Sequence, residues 1–294
     1  MRRSKSTILA FIAPALILFI VFFIYPVLRT LAMSFFEVNA ISSPISTWRF
    51  IGLDNFRRLF ATSFPRSLKM LFKVWFYCGV VVGVLSLFFA VLLTSGIKGK
   101  GFFRSMLYLP NVIPQMAIGF MWTLYVFSSR FGMLKRLFTI IGWEAAANFA
   151  WTSPDNMFLS MCIAYVFSST GTFVLQYMAA IEGVSKSLYE AASLDGATRF
   201  TQFTVITMPL IRNTLISTIT LWTKRVCSFF ALSRVFAAVD TVSPLMYIYD
   251  VLFGTESSAT AVGVGAAAAV VLAAVVVLAY TLSELIPKNQ DVEV

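Results

Sequence analysis

Five stretches of this chain run for more than twenty residues without one charged side chain: Ile8 to Leu28, Val74 to Ile97, Ser105 to Ser129, Asn156 to Ile181 and Ser257 to Ser283. A helix needs roughly 20 residues to cross about 30 Å of hydrocarbon. Inside lipid the backbone must satisfy its own hydrogen bonds, which leaves helices or closed barrels. The runs are continuous rather than alternating, so barrel strands are excluded. A sixth run, from about Pro209 to Leu232, is apolar except for Lys224 and Arg225. The expected fold is all-α: a polytopic integral membrane protein with about six transmembrane helices. Composition agrees, with 59% apolar and only 12% charged residues and a mean hydropathy of +0.84, far from the averages of a soluble domain.

The first run follows Arg2, Arg3 and Lys5 but is too long for a signal-peptide core and ends without a small-x-small cleavage site, so it reads as an uncleaved anchor. Six spans place both termini on one side. Counting Lys and Arg over all loops nearly balances. The flanks of the first span and the short loop carrying Lys98, Lys100 and Arg104 favour cytoplasmic N- and C-termini. The net charge of +10 then anchors the cytoplasmic face to anionic lipid, and nucleic acid is not an expected partner.

Catalytic chemistry finds little to work with. There is no histidine, which removes His-based triads and His-rich metal sites. Cys78, Cys162 and Cys227 all lie in apolar runs without ligand-like spacing and read as inert core thiols, so no metal site is expected. The Gly-rich "GIKGKGFF" at Gly96 lacks the Gly-Lys-Ser/Thr ending and follows no strand, so any nucleotide must be bound by another chain.

The connections differ in character. Arg29 to Lys73 is long and contains "WRFIGLDNFRRLF", where Phe56, Leu59 and Phe60 would share one face of a short interfacial helix and Arg57 and Arg58 would face elsewhere. Ser129 to Asp155 lies on the same side, and Glu182 to Thr207 on the opposite, cytoplasmic side. From Lys186 the pattern Ser187-x-x-Glu190 predicts a capping box and about two helical turns, ended near Gly196. Pro209 suits the first turn of the following span. Local physics thus gives a capped helix across the membrane face with a hinge on each side.

The spacing there is distinctive. Glu190-Ala191-Ala192, three residues, Gly196, nine residues, Ile206, one residue, Met208-Pro209 resembles the EAA signature of the membrane permease subunits of bacterial ABC importers, with Met208 where leucine is usual. "FIGLDNF" (Phe50 to Phe56), "KGKGFFRSMLYLPNVIPQMAIGFMWTLYVF" and "FGMLKRL" resemble further stretches of the carbohydrate-uptake members, those similar to the maltose and glycerol-phosphate permeases. The likeness covers residues 8 to 288 and points to the first of the two paralogous subunits. Val184-Ser185 departs from a common Ile-Pro, and the Gly-Gly-Pro usual after the fifth span is missing from "AVDTVSPLMYIYD".

The resemblance implies a type I ABC importer permease fold. Residues 1–73 would form an anchor helix and external connection, 74–288 the permease core with a coupling helix at about 186–196, and 289–294 a tail. It implies a transport subunit rather than an enzyme, in a bacterial inner membrane, forming half of a pathway for a sugar or oligosaccharide. The partners implied are a second paralogous permease, two cytoplasmic ATPases that hold ATP and Mg while this chain binds no cofactor, and an extracellular solute-binding protein. Glu190, Ala191, Ala192, Asp195, Gly196 and Pro209 are the coupling candidates: Glu190 to pair with the ATPase, the alanines to allow close approach, Gly196 to absorb the turn.

Solute contacts are expected from polar residues inside the spans, since such groups are costly towards lipid. Tyr108, Asn111, Gln115 and Trp122 follow helical spacing in the third span, and Tyr165, Ser169, Thr172 and Gln176 in the fourth. Asn213, Ser217, Thr220, Lys224 and Ser228 do so in the fifth, with Thr214, Thr218 and Arg225 beside them. Helix-to-helix hydrogen bonding is the competing explanation for each stripe. Lys224 and Arg225 lie about 22 Å along a straight helix counted from Pro209, where they either snorkel, pair with an acid of a partner subunit, or line a cavity for an anionic glycan. Two rival readings stand: an ABC permease for an amino acid, peptide or phosphate ester, and a secondary transporter. Against the latter, no acid or histidine lies within a span and no internal repeat is visible.

Overall fold

The structure, a computed structural model, describes residues 5–254 and 261–285. Arg2 and Arg3, the start of the last run at Ser257 and the tail at 289–294 lie outside them. In chain order the main elements are α1 (Phe11–Met33), β1 (Phe36–Glu37), β2 (Arg49–Phe50), α2 (Asp54–Phe60), α3 (Phe64–Thr94), α4 (Lys100–Val112), α5 (Gln115–Met121) and α6 (Met133–Ile141). There follow α7 (Met157–Glu182), α8 (Lys186–Leu194), α9 (Arg199–Leu210), α10 (Arg212–Cys227), α11 (Ala231–Val235), α12 (Pro244–Phe253) and α13 (Ala261–Glu284).

Four helices are single elements long and apolar enough to span: α1, α3, α7 and Val262–Ser283 within α13. The other two expected spans are helical but not straight. The third breaks at Ile113–Pro114, where Ile113 takes ψ 134. The proline ring disfavours helical backbone in the residue before it. The fifth is a pair, α9 and α10–α11, bent by 66° around Ile211. Pro209 therefore sits at the end of α9, ahead of the bend, rather than in the first turn of the next span. Five-residue π turns at Ile20–Ile24 and Phe203–Thr207 precede Pro26 and Pro209 by two residues. Wider turns there accommodate a residue that cannot donate to the helical ladder.

The second span also starts earlier than its uncharged run, at Phe64, and its first turns carry Arg66, Lys69 and Lys73. Long basic side chains at a helix end extend to the interface and cost little there.

The chain forms two compact units, 1–65 with 244–275 and 66–243 with 276–294. In the first, a two-stranded antiparallel ribbon pairs Phe36 with Phe50 and Glu37 with Arg49. Met33, Val38, Val262 and Ala266 make its core, with Phe36, Trp48 and Leu252 packed on it. The interfacial expectation for residues 54–60 is corrected here. Leu59 is wholly buried, Phe56 packs on Phe35 at 5.5 Å, and only Phe60 of the three faces out. Burying Leu59 stabilises more than leaving it in an interface.

In the second unit α7 packs chiefly on α3 and α4. Gly171 allows it: a Cβ there would lie 2.1 Å from the Leu107 carbonyl oxygen. Ser86 donates to the Thr170 carbonyl at 3.0 Å, so the α3–α7 contact carries a hydrogen bond as well as close packing.

Candidate functional site

The segment after α7 forms a compact structure of its own. Ser185, not Ser187, is the N-cap of α8, and the expected capping box is not made. Ser185 and Ser187 instead share a hydroxyl hydrogen bond at 2.8 Å. The helix starts two residues earlier than the box would place it, so Ser187 is already inside the first turn. Gly196, with φ +80, reverses the chain at the other end, a conformation any side chain would strain.

Two side-chain bonds tie α8 back to α9, and a third holds the linker between them. Tyr189 and Thr207 share a hydroxyl bond at 2.8 Å, and the Gln202 amide donates to Ser193 Oγ at 2.8 Å and to the Ala197 carbonyl at 3.4 Å. Neither Tyr189 nor Gln202 stands out in the sequence, because the bonds by which they brace α8 reach residues nine and eighteen positions away.

What α8 presents outward is unengaged. Glu190, Ala191, Asp195 and Gly196 are exposed and Ala192 is half-buried. The three ion pairs among the described residues, Glu37–Arg49, Asp54–Arg58 and Lys100–Glu182, do not include Glu190 or Asp195. Leu194 is 91% exposed and Phe200, just beyond the turn, 75%. An apolar tip, a carboxylate and small residues thus lie together on and just beyond one short helix, without ion-pair partners among the described residues.

The intramembrane candidates separate into groups. In the third span the break puts Asn111 near the end of α4 and Gln115 at the start of α5, so the continuous stripe with Tyr108 and Trp122 does not form. Tyr108 is exposed, while Asn111 and Gln115 are half-buried. Trp122 lines a cavity of about 570 Å³ together with Cys78, Met106, Cys162 and Phe167. That cavity is apolar and collects none of the other candidates. A smaller one of about 280 Å³, between Trp75, Tyr177, Thr218 and Trp222, is also mainly apolar.

On α10, Ser217 and Ser228 donate to carbonyls of their own helix, and Thr220 to the Ile216 carbonyl and Ser283 Oγ. Thr218 is buried and bonds Tyr177 across to α7 at 2.9 Å, a helix-to-helix role. Asn213 and Thr214 are half-buried. Two indoles join α10 to α3: Trp75 Nε1 donates to Thr223 Oγ1 and Trp222 Nε1 to the Trp75 carbonyl, both at 2.9 Å. On α7, Tyr165 and Ser169 are fully buried while Thr172 and Gln176 are half-buried. The straight-helix depth of Lys224 and Arg225 changes, because α10 starts at Arg212: they lie about 18 to 20 Å along it. Lys224 is exposed; Arg225 is half-buried against α7. Among the described residues no three His, Cys, Asp or Glu side chains gather as metal ligands.

Residues 79–291 match the family model of the binding-protein-dependent transport system inner membrane component. The chain belongs to this family. It is the inner-membrane permease of an ABC importer, a transport subunit and not an enzyme. It is similar to the probable starch degradation products permease AmyD of Thermoanaerobacterium thermosulfurigenes, 28% identical over 285 residues, 96% of this chain and 94% of that protein. It is also similar to the trehalose/maltose permease MalF of Thermococcus litoralis, 31% identical over 206 residues, 70% of this chain and 68% of that one. The permease fold matches a solved bacterial ABC transporter involved in import of the acidic polysaccharide alginate, with a TM-score of 0.78 over 97% of both chains. At 21% identity that likeness speaks for the fold.

Proposed function

We propose that this permease forms half of the translocation pathway for a sugar or oligosaccharide, with a second paralogous permease forming the other half. Two cytoplasmic ATPases hold ATP and Mg and drive the cycle, and an extracellular binding protein delivers the solute. The termini and α8 face the cytoplasm. There α8 docks on an ATPase, with Glu190 meeting a basic or hydroxyl group, Ala191 and Ala192 allowing close approach, and Asp195 and Gly196 shaping the turn. Pro209, at the end of α9, lies next to the bend that passes motion into α10. ATP shifts the cycle only by as much as it favours one state, so the connecting element must be rigid; the bonds from Tyr189 and Gln202 to Thr207 and Ser193 make it so.

One observation supports the coupling reading: Glu190, Ala191, Asp195 and Gly196 of the motif-bearing helix are exposed, and neither acid is ion-paired among the described residues. The names of the AmyD and MalF relatives support the sugar class, and the alginate transporter extends it to acidic glycans. The test is uptake by the reconstituted complex of labelled neutral and acidic oligosaccharides, amino acids and phosphate esters. Saccharide uptake is expected; uptake of a non-sugar alone would overturn the substrate class. A cysteine at Ser193 should react only with reagents on the cytoplasmic side, and labelling from outside intact cells would invert the topology.

A further inference from the structure

The helix α6 has an apolar face that the described residues leave uncovered. Met133, Leu137, Ile140 and Ile141 fall at i, i+4, i+7 and i+8, on one side of the helix, and all four are exposed, Ile140 at 83%. A different side holds the helix in place. Leu134 and Phe138 are half-buried there, and Phe138 meets the Trp143 ring edge-on at 5.5 Å.

The end of the third span sets where α6 lies. That span closes with a π turn, Trp122–Val126, on which α6 packs. The chain between them is folded back tightly: the Gly132 amide donates to the Ser128 carbonyl at 2.9 Å, and Lys135 Nζ donates to the Ser129 carbonyl at 2.7 Å. A Cβ on Gly132 would lie 2.3 Å from the Ser128 oxygen, so only glycine permits this fold-back. Held against the last turn of a span, α6 sits at the surface of the bilayer. The span α7 lies between α6 and α8, which puts these two helices on opposite faces of the membrane.

Left to water, four large aliphatic side chains form a patch of the kind that marks a contact surface. Exposed apolar residues run on in sequence from Leu124 and Tyr125 of the span through Phe131 into α6. From Ser128 to Trp143 the chain carries Arg130, Lys135 and Arg136 and no acid. Arg130 and Arg136 are exposed, and neither belongs to the three ion pairs among the described residues. An apolar face with cations beside it suits the headgroup region, where aliphatic side chains enter the acyl layer and cations meet lipid phosphates. A soluble protein that binds and releases fits less well. Such contacts are about as polar as the rest of a protein surface, and the four residues of this face offer no hydrogen-bonding side chain.

We infer that α6 is an interfacial helix of the leaflet opposite α8, with Met133, Leu137, Ile140 and Ile141 among the acyl chains and Arg130 and Arg136 on the phosphates of anionic phospholipid. The lipid contact then fixes the depth of the adjoining end of the third span. This needs the chain to span the membrane and is independent of the solute and of the coupling role of α8.

The test uses the assembled complex in nanodiscs, with a bimane label on Ile140→Cys or on Thr139→Cys, the latter an exposed polar neighbour. The wild-type chain, treated identically, is the baseline for the native thiols. Brominated phosphatidylglycerol or brominated phosphatidylcholine is supplied at equal mole fraction in ordinary phosphatidylcholine. Acyl-chain bromine should quench the label at position 140 about twofold or more beyond that at 139, and iodide in the water should do the reverse. The anionic brominated lipid should quench at 140 about twofold more than the neutral one, and Arg130→Gln with Arg136→Gln should remove that excess. Equal quenching by the two brominated lipids overturns the inference, as does iodide quenching at 140 as strong as at 139. A label at 140 shielded from both bromine and iodide, or shielded only once the binding protein is added, would put a protein on this face and overturn it too. Should the Ile140→Cys chain fail to assemble, Leu137→Cys carries the same comparison.

Discussion

Of the stretches that carried the family resemblance, two short motifs are treated by the structure in opposite ways. In "FIGLDNF" the polar residue is consumed inside its own unit: Asn55 is 1% exposed, and its amide donates to the Ser34 and Phe36 carbonyls at 3.0 and 2.9 Å. Gly52, at φ +60, turns the chain from β2 into α2 so that Asn55 can reach them. In the Glu190-Ala191-Ala192 motif, Glu190 pairs with nothing among the described residues, and Glu190 and Ala191 lie exposed on α8. A motif closed within its fold is accounted for by stability; one left open on a rigid element is accounted for by a partner.

Asn55→Ala should break the closed motif most severely. It strips a buried amide from two carbonyls, and a destabilisation of roughly 2 to 4 kcal/mol is expected. It would be read as a lower thermal midpoint of the detergent-solubilised chain; an unchanged midpoint would mean that the ribbon is held by other contacts. Tyr189→Phe is the intermediate case, since it removes the bond to Thr207 that braces α8. About 1 kcal/mol of local stability should go, visible as faster hydrogen exchange in residues 186–194, and unchanged exchange would leave Gln202 as the sole brace. Glu190→Lys should cost least in stability, within about 0.5 kcal/mol as for an exposed site, yet abolish solute-stimulated ATP hydrolysis by the assembled complex. A thermal midpoint that fell with it would erase the contrast between the motifs, and intact ATPase stimulation would remove the coupling role.

The same contrast separates Leu59 from Leu194. Both are leucines in short helices beside charged neighbours, and local sequence treats them alike. Leu59 is fully buried and Leu194 is left 91% exposed. Elements distant in the chain meet these segments differently: Tyr247 bonds Thr62 just beyond α2 and Gly263 of α13 lies against Asn55, whereas the bonds that fold α8 onto α9 leave its outer face open. No window of residues around either leucine contains that information.

Much of the architecture was legible in local chemistry. Helices that must cross hydrocarbon announce themselves by length and the absence of charge, because the cost of an exposed backbone or charge in lipid is large and local. The helix 186–196 was legible for a related reason: an amphipathic turn and a terminal glycine act over a few residues. The capping detail was missed because Ser185 and Ser187 both suit an N-cap, and which one serves depends on where α7 ends. The stripe from Tyr108 to Trp122 assumed one continuous helix, and Pro114 divides it.

Charge-free length, the glycine turn and the EAA spacing are properties of neighbouring residues, and they were sufficient to class the chain as a multispanning permease and to place the short helix that bears the motif. Which cation of the pair faces inward was beyond their reach. Lys224 and Arg225 differ by one residue, or about 100° around a helix, and their environments were set by the bend at Ile211 and by the packing of α7 against α10. Side-chain direction at that resolution depends on the register between helices, and register is fixed only when distant surfaces meet.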